Sequence, residues 1–122
     1  MHELNVMLQV VREVTDIAEE NHLNHVTGIV LEIGELSSVL PHFLEEYFPL
    51  MIEDKPLFDD CKLIIERVEG IGECLKCGCQ YNVVKEDGIC PKCGYKYKKI
   101  LQGKDFVIKE IQIPDLGLDK LV

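Results

Sequence analysis

Four cysteines stand as two matched pairs, Cys74-Leu75-Lys76-Cys77-Gly78 and Cys90-Pro91-Lys92-Cys93-Gly94. A C-x2-C pair can place two thiolates on one metal ion, because a tight turn brings both sulfurs to the same side. The glycine after each second cysteine relieves crowding where backbone N–H groups turn toward the sulfurs. Twelve residues separate the pairs, enough for a hairpin that folds one knuckle onto the other. The chemistry expected is a closed tetrahedral four-thiolate site on Cys74, Cys77, Cys90 and Cys93, with zinc as its metal. A rubredoxin-like iron site uses the same ligands and stands as the rival. Rubredoxins separate their pairs further and surround the iron with several aromatics, whereas here only Tyr81, Tyr95 and Tyr97 are nearby and the chain has no Trp. Cys79 could exchange with Cys77, but the matched knuckles favour a spare thiol, and Cys61 reads as a small residue at the start of a strand.

The second candidate is the N-terminus. A bulky residue at position 2 prevents removal of Met1, so Met1 keeps a free α-amine. That amine, the His2 amide nitrogen and the His2 imidazole Nδ1 can close adjacent five- and six-membered chelate rings. Such planar, nitrogen-rich coordination suits Ni(II) or Cu(II), and Glu3 could add an oxygen or orient a ligand. On spacing alone, an idle terminus is the more ordinary reading. His22 and His25 read as solvated residues near a helix exit, and His42 as a residue that helps start a helix. No phosphate loop, G-x-S-x-G or H-E-x-x-H motif is present. A closed four-cysteine site also leaves no open position for substrate, so hydrolytic zinc chemistry is not expected.

The elements that must hold these groups follow from periodicity. Residues 4–20 space Leu4, Met7, Leu8, Val11 and Ala18 on one side of a helix. Residues 26–36 read as a strand rich in branched apolar residues. Pro41 suits a first helical position for a helix over 41–54, with a break or kink at Pro49. Residues 61–69 and 104–113 read as two further strands, the last with apolar residues on both faces. An antiparallel pairing of 61–69 with 104–113 would bring together the two connections of the cysteine module, as in an inserted domain. The expected fold is α/β or α+β, two helices on a three-stranded sheet with an inserted zinc-ribbon module. The expected division is 1–72 plus 100–113 as one domain, 73–99 as the zinc-binding domain and 114–122 as a tail.

With 122 residues and a net charge of −9, the chain can bury one modest core. Residues 1–72 carry 4 basic and 15 acidic side chains, while residues 73–99 carry 6 basic and 3 acidic. Four thiolates and one zinc ion add about −2 to the module. Clustered positive charge to replace phosphate counterions is therefore missing, which argues against nucleic acid. No apolar run approaches the roughly 20 residues of a spanning helix, and no signal peptide is evident. Paired cysteines without a secretory signal point to reduced thiols in the cytoplasm.

Met1-His2-Glu3-Leu4, the amphipathic helix, Leu31-Glu32-Ile33-Gly34-Glu35-Leu36, the C-x2-C-x12-C-x2-C module and Gly103–Ile111 together resemble the HypA/HybF family of hydrogenase nickel-incorporation accessory proteins. The resemblance covers residues 1–113. It implies a mixed three-stranded sheet, two helices and an extended zinc module. It implies nickel bound by the Met1 amine, the His2 side chain and the amides of His2 and Glu3, with a zinc module that is structural and senses metal or pH. The implied function is that of a nickel metallochaperone without enzymatic turnover. The implied partners are a nickel-binding GTPase of the HypB type, the [NiFe]-hydrogenase large subunit, urease maturation proteins in some members, and a second copy in a homodimer. Two features depart from the pattern: Cys79 is an extra thiol, and the tail after Pro114 is longer than usual. Without the resemblance, a zinc-ribbon adaptor carrying no transported metal, or an iron-thiolate electron carrier, stays open.

Overall fold

In the computed structural model, residues 2–114 are described. Helix α1 (His2–Glu20) is followed by strand β1 (Gly28–Gly34), helix α2 (Pro41–Met51), a short 3-10 turn (Pro56–Phe58) and strand β2 (Lys62–Val68). The cysteine region contributes β3 (Ile71–Cys74), β4 (Gln80–Asn82) and β5 (Lys98–Gln102), and β6 (Phe106–Gln112) closes the order.

Helix α1 turns Met7, Val10, Val11, Val14 and Ala18 into the core, each buried. It ends because His22 adopts a left-handed conformation (φ 57°). The Leu23 N–H then donates to the Ala18 carbonyl (2.8 Å) and the His22 N–H to that of Glu19 (3.2 Å). These two bonds satisfy carbonyls that the helix leaves over at its C-terminus. His22 is thus a helix-stopping residue. His25 is half-buried rather than solvated, with Nε2 2.6 Å from the Asp59 carbonyl oxygen.

Helix α2 starts with Pro41 in its first turn, and Leu44 and Phe48 are its buried residues. It runs through Pro49 without a break and stops at Met51, three residues short of the sequence expectation. Proline removes the amide donor that would reach the Glu45 carbonyl, but Glu45 and Pro49 are both exposed, so water can take the place of the missing donor.

The first sheet has the order β2-β1-β6. Thr27 accepts from the Lys62 N–H and Glu35 donates to the Val68 carbonyl, so β1 and β2 run parallel. Thr27 donates to Gln112 and Gly34 to Asp105, so β1 and β6 run antiparallel. The sheet is therefore mixed. Segments 61–69 and 104–113 do not pair with each other, contrary to expectation, because β1 lies between them. The reason is burial. Ile29, Val30, Leu31 and Ile33 of β1 are all buried, as a central strand requires, whereas β2 and β6 alternate exposed and half-buried residues. Of the expected second apolar face of β6, Ile111 is half-buried, while Val107 is 45% exposed and Ile113 40%.

The second sheet, β4-β3-β5, is antiparallel throughout. Its strands are three to five residues long, too short to show as periodicity. By internal contacts the described residues form two compact units, one of residues 2–31, 40–65 and 108–114 and one of residues 32–39 and 66–107.

Candidate metal centres

The four cysteines of the two knuckles converge. Their sulfurs lie within 4.8 Å of one another, with Cys74 Sγ 3.6 Å from Cys93 Sγ and Cys77 Sγ 3.6 Å from Cys90 Sγ. A zinc ion with bonds of about 2.3 Å demands tetrahedral edges of about 3.8 Å, so the quartet fits a four-coordinate ion. All four corners are thiolates, which leaves no place for water or substrate. Cys79 is not part of the cluster.

Backbone geometry explains the convergence. The Gly78 N–H donates to the Cys74 carbonyl (3.0 Å) and the Gly94 N–H to that of Cys90 (2.9 Å). Both glycines sit at positive φ, 78° and 79°, which only glycine adopts cheaply. The Cys74 N–H donates to Cys79 O (2.9 Å) and the Cys90 N–H to Tyr95 O (3.0 Å), so each knuckle is closed by the residue five positions on. Cys79 occupies in the first knuckle the place of Tyr95 in the second. The Lys76 and Cys77 amides lie 3.3 and 3.5 Å from Cys74 Sγ, positioned to stabilise a thiolate.

Cys74, Cys90 and Tyr81 form a small buried cluster, with the Tyr81 hydroxyl 3.4 Å from the Gly88 carbonyl oxygen. Cys77 and Cys93 are exposed. The thiols diverge in acidity. Burial resists ionisation of Cys90, but the amides of Cys93 and Lys92 and the Cys77 and Cys93 thiols outweigh it and bring its pKa down to about 6. Cys74 is lowered in the same way: burial opposes, and the Cys77 and Lys76 amides prevail. At Cys93 the Tyr95 amide favours the thiolate, yet local desolvation of the sulfur, although the residue is exposed, and the Cys74, Cys77 and Cys90 sulfurs push the pKa up to about 12. Four like charges cannot collect without a cation between them, which is why the sulfurs oppose ionisation at Cys93 while the amides favour it at Cys90. Cys61 stays protonated, with burial raising its pKa to about 11.

Glu35 belongs to the Leu31–Leu36 motif, but its role is visible only in the structure. Its Oε1 accepts from the Gly70 N–H (2.9 Å) and from Asn82 Nδ2 (3.3 Å). It thereby joins the end of β1 to β4 and to the entry of β3. Gly34, Gly70 and Gly103 interleave at the same place: a Cβ on Gly34 would collide with the Gly103 backbone, and one on Gly103 with Glu69 and Gly70. A Glu after a Gly at a strand end was the only available signal, and it does not name its distant partners.

At the other candidate site, α1 begins at His2. Met1 and the His2 side chain lie outside the described residues. Glu3 stands in the first turn of α1, and its Oε2 accepts from the Leu40 N–H at 3.3 Å. Leu40 is the N-cap of α2 and has no side-chain cap of its own.

Fold and cluster together define a two-helix α+β protein built around a closed four-thiolate metal module. A profile of the HypA family, described as "Hydrogenase/urease nickel incorporation, metallochaperone, hypA", matches residues 1–113, and the chain belongs to this family. Similar proteins include the hydrogenase maturation factor HypA of Moorella thermoacetica, 37% identical and aligned over 88% of this chain and 95% of that protein. That of Geotalea uraniireducens is 34% identical over 93% of this chain and 99% of that protein. The solution structure of the Ni metallochaperone HypA from Helicobacter pylori superposes with a TM-score of 0.63 at 22% identity, covering 91% of this chain and 96% of that chain. This last likeness concerns the fold. The family's members are metallochaperones for nickel incorporation, not enzymes. Among the described residues no helix is long and apolar enough to cross a membrane.

Proposed function

We propose that this chain binds Ni(II) at its N-terminus and delivers it for [NiFe]-hydrogenase maturation, while zinc on Cys74, Cys77, Cys90 and Cys93 is a resident structural ion. The nickel ligands are the Met1 amine, the His2 side chain and amide, and Glu3 through its amide. Residues 1–72 with 100–113 serve as the nickel domain and 73–99 as the zinc domain. The protein works in the cytoplasm with a nickel-binding GTPase of the HypB type and hands its ion to the hydrogenase large subunit. Service to urease maturation proteins and homodimer formation belong to the same reading.

The observation that carries this reading is the start of α1 at His2. The first four N–H groups of a helix have no carbonyl partner within it, so the amides of His2 and Glu3 are free of intrahelical bonds and can lose their protons to a metal. The positive end of the helix favours the resulting amide anion by a few tenths of a kcal/mol to about 1 kcal/mol. Glu3, in the same turn, offsets the repulsion that this end exerts on a cation. The cysteine quartet, closed on all sides, suits a retained ion and not a delivered one.

Nickel titration of untagged protein tests the reading. A His2→Ala variant and a chain extended before Met1 should each lose at least about a hundredfold in affinity, since each removes a chelating nitrogen. Undiminished affinity in either refutes the site, and no nickel binding by the parent protein returns the chain to a zinc-ribbon adaptor. Metal analysis and absorbance separate colourless zinc from coloured iron in the thiolate site.

A further inference from the structure

Helix α2 carries two apolar stripes, and only one faces inward. Leu44 and Phe48 fill the core. A second set, Leu40, Phe43, Tyr47 and Leu50, recurs at spacings of three, four and three, which aligns it along one face of the helix. Leu40 is 51% exposed and Leu50 66%. Between them the Phe43 and Tyr47 rings stack, with centroids 6.4 Å apart and planes 22° from parallel. An outward face of this kind is unusual, because the solvent side of a surface helix is normally polar. Phe43 and Tyr47 are half-buried, so the strip is exposed at its two ends and partly exposed between them, and an apolar patch of this kind marks an interaction surface.

We propose that this face of α2 docks a basic amphipathic helix of the protein that exchanges nickel with the terminus. The proposal deepens the function proposed above, since it names a surface for the partner of the same terminus. Charge selects the occupant. Glu46 lies three residues after Phe43 and four before Leu50, which sets it at the edge of the strip. It is exposed, as are Glu53 and Asp54 just past the end of α2, and Lys55 is the first basic residue after the helix. A second copy docked face to face would set these carboxylates against their own counterparts, and an anionic lipid surface would be repelled. A helix with an apolar stripe edged by Lys or Arg matches both the strip and its acidic border. Position supplies the link to nickel. The strip begins at Leu40, whose N–H donates to Glu3 Oε2, so a partner seated on it lies beside the first turn of α1. Ligand exchange at Met1 and His2 then needs no long search.

The test uses the full chain, nickel-free and 15N-labelled, titrated with a synthetic leucine-striped peptide of about five helical turns edged by lysines, and with its glutamate-edged counterpart. The lysine peptide should shift the amides of 40–51 and bind less tightly as salt rises. Leu50→Ser should weaken it about tenfold, and Glu46→Lys should reverse the preference between the two peptides. Leu40→Ser provides a second exposed substitution, with unchanged amide dispersion as the check on folding. Equal binding of both peptides, shifts centred away from α2, or affinity unchanged in both serine variants overturns the proposal. So does sedimentation showing self-association that Leu50→Ser abolishes, or binding of anionic phosphatidylserine vesicles through the same residues. No nickel is present, so this outcome is independent of whether Met1 and His2 hold the ion.

Discussion

The two candidate metal centres are built on opposite terms. The cysteine site is over-determined: two glycines at positive φ, paired amide-to-carbonyl closures and a buried Tyr81 all fix the same four sulfurs. The terminal site is held by one helix start and one carboxylate contact, Glu3 to the Leu40 N–H. A site that encloses its ion on four sides releases it slowly. A site made from unpaired amides at a chain end can give up its ligands one by one. On the proposed assignment, the rigid centre keeps the resident ion and the sparsely held terminus carries the cargo, and each half can be attacked separately.

The largest effect is expected at the rigid site. Cys90→Ser removes a buried ligand from a module whose strands are only three to five residues long. Structural zinc contributes on the order of 10 kcal/mol to such folds, so residues 71–102 should lose amide dispersion while α1 keeps its own. Persistence of the β4-β3-β5 sheet without metal would show that the ion is not what holds it. At the terminal site, by contrast, His2→Ala should abolish tight nickel binding and leave thermal unfolding unchanged. An intermediate effect is expected of Gly34→Ala, whose new Cβ meets the Gly103 backbone. Overpacking against backbone that cannot yield should cost about 3 kcal/mol, measured by urea unfolding.

Proton release sharpens the contrast further. Cys90 has its pKa lowered to about 6 and Cys93 raised to about 12, so at neutral pH the metal-free quartet already holds Cys90 as thiolate. Zinc binding at pH 7.5 should therefore release fewer than four protons, read by calorimetry in buffers of different ionisation enthalpy. The sign follows from the lowered value: the thiolate of Cys90 is retained above about pH 6 and lost below it, so zinc affinity should fall more steeply once the pH passes under that value. Release of all four protons would mean that the quartet is not pre-ionised.

How much of this was legible in the sequence depended on range. The knuckles were readable because their chemistry is encoded in a spacing of three and a following glycine. Helix α1 and the three seven-residue strands β1, β2 and β6 were readable from periodicity to within about two residues. Strand order was not, since β1 takes the centre through burial of Ile29, Val30, Leu31 and Ile33, a property of the whole sheet. Strands β3, β4 and β5 were invisible because metal and turns, more than side-chain alternation, hold such short segments. His25 was misread because its partner, the Asp59 carbonyl, lies 34 residues away.

Glu35 offers the smallest of these effects and tests how the rigid half is assembled. Its Oε1 serves two donors at once, the Gly70 N–H and Asn82 Nδ2, which lie 35 and 47 residues away in sequence. Asn82 is itself engaged, since its Oδ1 accepts from the Lys85 N–H at 2.8 Å. Removing the carboxylate leaves a part-buried amide without its acceptor, at a cost of about 1–2 kcal/mol. Glu35→Gln keeps an oxygen acceptor and should recover about half of that. The four sulfurs are untouched by either change, so zinc affinity should stay constant while hydrogen exchange at Gly70 accelerates in Glu35→Ala. If zinc affinity falls with it, the clasp and the metal form one cooperative unit. The rigidity of the cysteine site would then extend down to the end of β1.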